Sequence, residues 1–310
     1  MRILITGGAG FLGSHLVEHY LKQGHSVAIV DNYATGRREN LAGAVGAEVV
    51  EGTISDTALV NRIFDSFKPT HVIHSAAAYK NADAWKEDID SNVLGTVNVV
   101  QAAKRTAVQR LVYFQTSLAY GRAKTVPIPP NEDLKPFTSY SISKAAGEQY
   151  VAMSGLSYVT LRLANIYGPR LFTGPQPVFF KKLKAGEKCT IVNTRRDFLA
   201  IEDFFGLMDK VIAFDAPTGA FNVASGRDIS IPDVFDLIAQ GMGLAEGSYP
   251  APEVKEPSSE DLNSLLLDPS QTEKAFGWKP KLPVHEGTMA LVKWYEKNGV
   301  GETFTHFKKV

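Results

Sequence analysis

Tyr140 and Lys144 stand four residues apart, which puts both side chains on one face if the segment is helical. A phenol with an ordinary pKa near 10 becomes a base at neutral pH only after a shift of about 3 units, roughly 4 kcal/mol. A lysine one turn away supplies that sign of shift, because a nearby cation favours the phenolate. Taken alone, such a pair is more often a surface helix pair than a catalytic one, so its context decides. Upstream, Thr116 and Ser117 place two hydroxyls in the stretch Phe114-Gln115-Thr116-Ser117-Leu118-Ala119-Tyr120-Gly121.

A second group of residues could bind an anion. Gly7, Gly10 and Gly13 form a GxxGxxG array directly after the apolar run 3–5 and Thr6. Glycine there permits positive φ and lets the backbone approach a pyrophosphate, while unpaired N–H groups at a following helix start bind the charge. Asp31 follows Gly13 by 18 residues, close to the ~20 expected of a carboxylate that holds adenosine ribose hydroxyls. A carboxylate repels a 2′-phosphate and so favours NAD over NADP. Arg37 and Arg38 in the next loop either weaken that preference or form a solvated surface.

These groups need elements to position them. Segments 3–5, 27–30, 49–50, 72–73, 111–114 and 158–163 are short, β-branched or aromatic, and bounded by polar or glycine residues, which predicts buried strands. Helical patterns lie between them at 12–23 and 57–67, up to about 102–103, and from near Tyr140. Such alternation implies right-handed crossovers and a parallel sheet. The expected class is α/β, a Rossmann-type doubly wound parallel sheet with a smaller, mostly C-terminal lobe. The division falls at 1–165 and 166–310, with segments near 196–224 rejoining the large sheet through Arg196-Asp197-Phe198 and Phe221-Asn222-Val223. Pro169, Gly174, Pro175 and Pro177 read as a long irregular connection, 284–297 as the last helix, Trp278 as lobe packing and 299–310 as a loosely held tail.

Composition narrows the function classes. Among 310 residues, Lys plus Arg and Asp plus Glu both number 33, so no net field draws the chain to nucleic acid or an anionic membrane, and Lys308-Lys309 add no such signal. With 44% hydrophobic and 21% charged residues the chain reads as an ordinary folded protein. The lone cysteine, Cys189, cannot form an intramolecular disulfide and reads as a buried small residue. Apolar runs fall short of the ~18 residues of a membrane span, and Gly7-Gly8 interrupts the opening too early for a signal peptide, so a cytoplasmic location is expected. His15 and His19 have a metal-compatible spacing without an HExxH glutamate or third ligand; they read as helix surface, and a metal is not expected.

Taken together, the glycine turn, Asp31-Asn32 with Thr35-Gly36-Arg37, His74-Ser75-Ala76-Ala77, Asn92 with Gly95-Thr96, residues 140–144 and 162–170, and Arg196-Asp197-Phe198 carry a resemblance over nearly the whole chain. The sequence resembles the extended short-chain dehydrogenase/reductase family, in particular the nucleotide-sugar epimerases of bacterial polysaccharide synthesis. The resemblance implies NAD, held by Gly7, Gly10, Phe11, Leu12, Gly13, Asp31, Asn32, Thr35, Gly36, Thr53, Ile54, Ser75, Ala76, Ala77, Asn92, Tyr140, Lys144 and Ala164. In the family's S/T-x-x-x-Y-G pattern, counting back from Tyr120 makes Thr116 the hydroxyl that joins Tyr140 and Lys144 in catalysis, with Ser117 the neighbouring alternative. A nucleotide-sugar substrate would meet Thr116, Tyr140, Asn165 and Arg196, with 166–310 mainly the substrate-binding lobe, and a homodimer is the expected assembly.

The resemblance also separates reaction types. Family dehydratases and decarboxylases place acids just after the catalytic hydroxyl, where this chain has Ser117 and Leu118, so it implies epimerisation, most simply at C4 of a UDP-hexose, UDP-N-acetylhexosamine or UDP-uronate. The alternatives are a dehydratase or another epimerase on the same scaffold, or a non-catalytic dinucleotide sensor, against which the presence of Thr116, Tyr140 and Lys144 argues. Two departures touch the nucleotide side. Residues 191–195 replace the usual Gly-Asp-Gly, and the C-terminal arginine has no clear match between Pro252 and Asp268, Lys255 being a poor substitute.

Overall fold

A computed structural model of the chain describes residues 1–79, 81–258 and 261–303. Its strands are β1 (Arg2–Thr6), β2 (Ser26–Asp31), β3 (Glu48–Glu51), β4 (His71–His74), β5 (Arg110–Thr116), β6 (Tyr158–Leu163) and β7 (Asn165–Tyr167). There follow β8 (Thr190–Val192), β9 (Arg195–Ala200), β10 (Gly219–Val223), β11 (Asp228–Ser230), β12 (Glu253–Lys255) and β13 (Ser264–Leu265). The helices are α1 (Phe11–Lys22), α2 (Thr57–Phe67), α3 (Trp85–Asp88), α4 (Gly95–Arg105), α5 (Ser139–Ala152), α6 (Pro175–Lys184), α7 (Ile201–Val211), α8 (Ile231–Gly241), α9 (Ser270–Phe276) and α10 (Val284–Asn298).

Seven strands form one parallel sheet in the order β10, β6, β5, β4, β1, β2, β3. Side chains of a strand alternate between faces, and β1 shows why both faces are covered. Ile3 and Ile5 pack with Leu16, Val17 and Tyr20 of α1 and Phe204, Leu207 and Met208 of α7. Leu4 packs on the other side with Leu59 and Ile63 of α2 and Val99 and Ala103 of α4. Chain order reverses between β1 and β4, and a crevice opens at the carboxyl ends of strands at such a switch point.

A third core, with Phe179, Phe180 and Leu183 of α6, Val234, Phe235 and Ile238 of α8 and Leu291, Val292 and Tyr295 of α10, closes on Phe198 of β9. Here three expectations change. Phe221-Asn222-Val223 does join the large sheet, as β10 beside β6, but Arg196-Asp197-Phe198 does not. β10 already occupies the edge beside β6, and β9 instead pairs with β7, β11 and β13 in a small second sheet. The stretch read as a long irregular connection contains α6, which has Gly174 at its N-cap and Pro175 in its first turn, the asymmetry that marks a helix start. Trp278 packs in the core under the large sheet, its indole N–H donating to the Asp203 carbonyl, 2.8 Å.

The start of the tail is held by Arg37, which donates to the Glu302 carbonyl, while 304–310, including Lys308-Lys309, lie outside the described residues. Cys189 is buried. Among the described residues, no helix is long and apolar enough to cross a membrane.

Candidate active site

The cleft at the strand ends measures about 320 Å³ and is lined from one side by the glycine turn and from the other by β7, β9 and the start of α6. Gly7 adopts φ +70°, and a Cβ there would lie 2.8 Å from the Ala76 backbone. At Gly13 a Cβ would run into the Gly7 carbonyl oxygen. The turn therefore requires glycine on steric grounds. α1 begins at Gly10 without a side-chain cap and without an acid in its first turn, so its first N–H groups are open to a pyrophosphate.

Asp31 ends β2 at the rim of this wall. Its Oδ2 accepts from the Ala9 N–H and its Oδ1 from the Tyr33 N–H, both at 2.8 Å. Burial pushes its pKa up, and the two N–H donors hold it down. Each carboxylate oxygen keeps a lone pair for a ribose hydroxyl. The two arginines that could have welcomed a 2′-phosphate are turned to other work. Arg37 stacks 3.8 Å over the Phe172 ring, and Arg38 pairs with Glu51 at 2.6 Å. The donor set thus fits NAD: open amides for the pyrophosphate and an anion for the ribose.

β5 and α5 deliver the polar centre. A capping box between Thr138 and Ser141 fixes the start of α5, so Tyr140 falls in its first turn, where the positive end of a helix favours an anion. Thr116 ends β5, and its hydroxyl bonds to the Tyr140 phenol. Burial pushes the Tyr140 phenol above its ordinary range, against this bond. Lys144 is buried with its Nζ 4.0 Å over the Tyr113 ring. Burial lowers its pKa to about 7, with the Glu148 carboxylate one turn on pulling upward. Among the protein's own groups the balance thus favours the protonated phenol, and a positive charge brought by a bound ligand would act in the opposite direction.

Gln115 ties these parts together. Its Oε1 accepts from the Thr116 N–H at 2.7 Å, and its Nε2 donates to the Lys144 carbonyl at 2.8 Å and to Glu148 at 3.0 Å. Glu148 in turn pairs with buried Arg162, 2.5 Å, which donates to the Tyr120 hydroxyl at 2.9 Å. The ends of β5, α5 and β6 are thereby held in one network.

On the opposite wall, the parallel pairing of β7 with β9 sets Asn165 beside Phe198 and brings Asn165 and Arg196 to the same cleft. Asn165 donates to the Asp197 carbonyl at 2.9 Å. Arg196 donates to the Leu262 carbonyl at 2.8 Å, and burial lowers its pKa to about 10, the Asp261 carboxylate opposing. Asp197, buried behind them, accepts from the Ser225 and Gly226 N–H groups. Lys255 does not line the cleft: on β12 it faces Glu253 at 3.8 Å.

Nearly all sequence-selected residues line this one cleft: Gly7, Gly10, Phe11, Leu12, Gly13, Asp31, Asn32, Thr35, Thr53, Ile54, Ser75, Ala76, Ala77, Thr116, Tyr140, Lys144, Ala164, Asn165 and Arg196. Two lie behind it. Gly36 backs the Asp31 carboxylate, where a Cβ would come within 2.7 Å of Oδ1. Asn92 is fully buried, bonding both backbone groups of Ala78 and the Ser143 hydroxyl, and so braces residues 76–79 against α5. His15 and His19 are not plain surface. His15 bonds the Pro169 carbonyl at 2.8 Å, and His19 reaches Asp209 at 2.7 Å, so both tie α1 to its neighbours; among the described residues no metal-binding group of side chains forms. Sequence reasoning missed Gln115, Tyr79 and 173–176 as lining. Gly174 and Pro175 were the available signal for the last of these.

Comparison with known proteins agrees with this geometry. The model of the NAD dependent epimerase/dehydratase family matches residues 3–224. The Bordetella bronchiseptica enzyme WbmG, solved in complex with NAD and UDP, is 51% identical, with a TM-score of 0.92 over 99% of this chain and 98% of that one. WbmH of the same organism, solved with NAD⁺, is 41% identical, with a TM-score of 0.90 over 96% and 99%. A UDP-glucose 4-epimerase of Mycolicibacterium smegmatis is 30% identical over 95% of this chain and 98% of its own. With the family's model matching residues 3–224 and relatives solved with NAD aligned over nearly the whole chain, the chain belongs to the NAD-dependent epimerase/dehydratase family, and its cofactor is NAD.

Proposed function

We propose that the protein epimerises a UDP-linked hexose, N-acetylhexosamine or uronate at C4 through a transient 4-keto sugar. The observation that carries this reading is the set Thr116, Tyr140 and Lys144 in a cleft whose one lining carboxylate, among the described residues, is Asp31 at the ribose end. Elimination of water or loss of CO₂ wants an acid beside the catalytic hydroxyl, and Ser117 and Leu118 occupy those places. Relatives fit the same reading: besides the UDP-glucose 4-epimerase above, one 27% identical chain is a UDP-glucuronate 4-epimerase of Arabidopsis thaliana.

Tyr140 takes the proton of the C4 hydroxyl as general base, and Thr116 holds the same oxygen by a hydrogen bond. Bound NAD supplies a hydride acceptor that gives the hydride back and, when oxidised, a positive ring that favours the Tyr140 phenolate. Lys144, four residues on along α5, favours the phenolate while it is protonated, and Tyr140 returns the proton after the keto sugar has presented its other face. Asn165 and Arg196 hold the diphosphate meanwhile, a guanidinium being suited to phosphate geometry. In this reading 1–165, with the return at β10, serves the cofactor, and 166–310 mainly the substrate.

The same reading takes the enzyme to be a cytoplasmic homodimer; for the dimer it draws on exposed Ile142 and Tyr150 of α5, Met153 just after it, and Ile89 and Leu94 in the helical segment before α4. The test incubates the purified protein with UDP-, GDP-, CDP- and dTDP-sugars and follows both product and reduced nicotinamide. An isomerised UDP-sugar without net NADH is expected. Stoichiometric NADH with an oxidised sugar would make it a dehydrogenase, and loss of water a dehydratase.

A further inference from the structure

Tyr113 and Gln115 are two apart on β5 and so share one face of the strand, the face against which α5 packs. Both meet α5 at one atom: the Lys144 carbonyl accepts from the Tyr113 hydroxyl at 3.0 Å and from Gln115 Nε2 at 2.8 Å. The approach is close, since a Cβ on Gly147 would lie 2.5 Å from the Tyr113 hydroxyl oxygen. Gln115 Nε2 gives its second proton to Glu148 at 3.0 Å, and Oε1 takes the Thr116 N–H at 2.7 Å. Thr116 lies past the end of β4, whose last residue, His74, stands opposite Tyr113, and its N–H is satisfied by this side chain. Turned over, the amide would set its donors against the Thr116 N–H and its oxygen against two acceptors, so it has one orientation.

The Thr116 hydroxyl is oriented as well. The Leu118 N–H donates to Thr116 Oγ1 at 3.2 Å, which leaves the hydroxyl proton to be given to the Tyr140 oxygen. That bond holds the Tyr140 phenol down against burial, the effect a general base needs. It spans the gap between the end of β5 and the first turn of α5, and Gln115 bonds to the backbone of both elements.

We infer that Gln115 is a positioning residue: by tying the Thr116 backbone to α5 at Lys144 and Glu148, it holds the Thr116 hydroxyl against the Tyr140 oxygen. Its place in catalysis rests on the function proposed above.

The test uses the full chain with its retained NAD and the variant Gln115→Met, which keeps the length of the side chain and removes all three bonds. Turnover and KM are followed against pH with UDP-glucose, UDP-N-acetylglucosamine and UDP-glucuronate. The Tyr140 phenol is titrated without sugar, by ultraviolet difference against the matching protein that also carries Tyr140→Phe. Turnover per NAD-loaded molecule should fall about tenfold or more with KM held within about twofold, because a small displacement of a catalytic group is felt in the chemical step. The midpoint of the phenol should move to higher pH by about one unit, as it should in Thr116→Val. In a Thr116→Val background the same change should add less than about twofold to the loss, since residues that act through one bond are not additive. Among the described residues, Tyr140 is faced by Tyr79 from the loop after β4, Asp88 of α3 and Tyr113 of β5, with Lys144 one turn along its own helix, and all four stay unchanged.

Unchanged turnover, or an unmoved midpoint, would overturn the inference. A full tenfold loss added to Thr116→Val would do the same, by giving Gln115 a role that bypasses Thr116. A lower melting point with turnover intact would make it a packing residue. Where Gln115→Met does not fold, Gln115→Asn, one methylene shorter and unable to span both elements, carries the same test. A wild-type protein that isomerises none of the three sugars would overturn the proposed function, while the titration, which needs no sugar, would still decide the inference.

Discussion

The two walls of the cleft are built by different means. The wall on β1, β2 and β4 is made largely of backbone: a Cβ on Gly7 would lie 2.8 Å from the Ala76 backbone, and one on Gly13 would run into the Gly7 carbonyl. The wall on β7, β9 and α6 is made of side chains, with Asn165, Arg196 and Gln176 set in place by pairings distant in sequence. A backbone surface fits a group that every member of a family shares, whereas side chains can be exchanged one at a time. On the function proposed, the difference separates cofactor preference from substrate preference, and it can be pressed from both sides.

The largest effect belongs to the residue at the seam. Tyr140→Phe removes the proton acceptor and leaves both walls intact, so turnover should fall ~10²–10⁴-fold while NAD co-purifies as before. Activity near the wild-type level would reduce Tyr140 to a helix residue. On the side-chain wall, Arg196→Ala should weaken binding of the UDP-sugar by roughly 1.5–3 kcal/mol, the value of a hydrogen bond to a charged group, without loss of NAD. Equal loss of both ligands would erase the distinction between the walls.

On the backbone wall a single methyl should be felt as overpacking. Gly13→Ala is expected to destabilise the protein by about 1–3 kcal/mol in thermal or denaturant unfolding and to strip NAD during purification. Full NAD occupancy in that variant would mean the turn has room the geometry denies. The smallest expected effect is Ser117→Ala, below tenfold in turnover, set against a severe loss for Thr116→Val. The reverse ranking would transfer the catalytic hydroxyl to Ser117.

What the sequence made legible follows the same division. The glycine spacing, Asp31 and the strands of the large sheet are local patterns, and the structure sets them after β1, at the end of β2 and in the seven-stranded sheet. Tyr140 and Lys144 needed only a helix of the right start, which the Thr138 cap provides. The substrate wall was read less well for a physical reason. Whether β9 rejoins the large sheet depends on which strand takes the edge beside β6, a competition between segments far apart in sequence. α6 was hidden because Gly174, Pro175 and Pro177 punctuate a loop as readily as they open a helix. Gln115 carries no local pattern of its own, and its bonds to Lys144 and Glu148 exist only once β5 and α5 are packed together.

The central claim is that hydrogen leaves C4 and returns to it without passing through solvent. Incubating the enzyme with a UDP-sugar in deuterium oxide and weighing the isomerised product by mass spectrometry tests this directly. The account predicts an isomer with no deuterium on carbon and no accumulated NADH. Deuterium on a ring carbon of the product would contradict it and point to a keto-enol route instead.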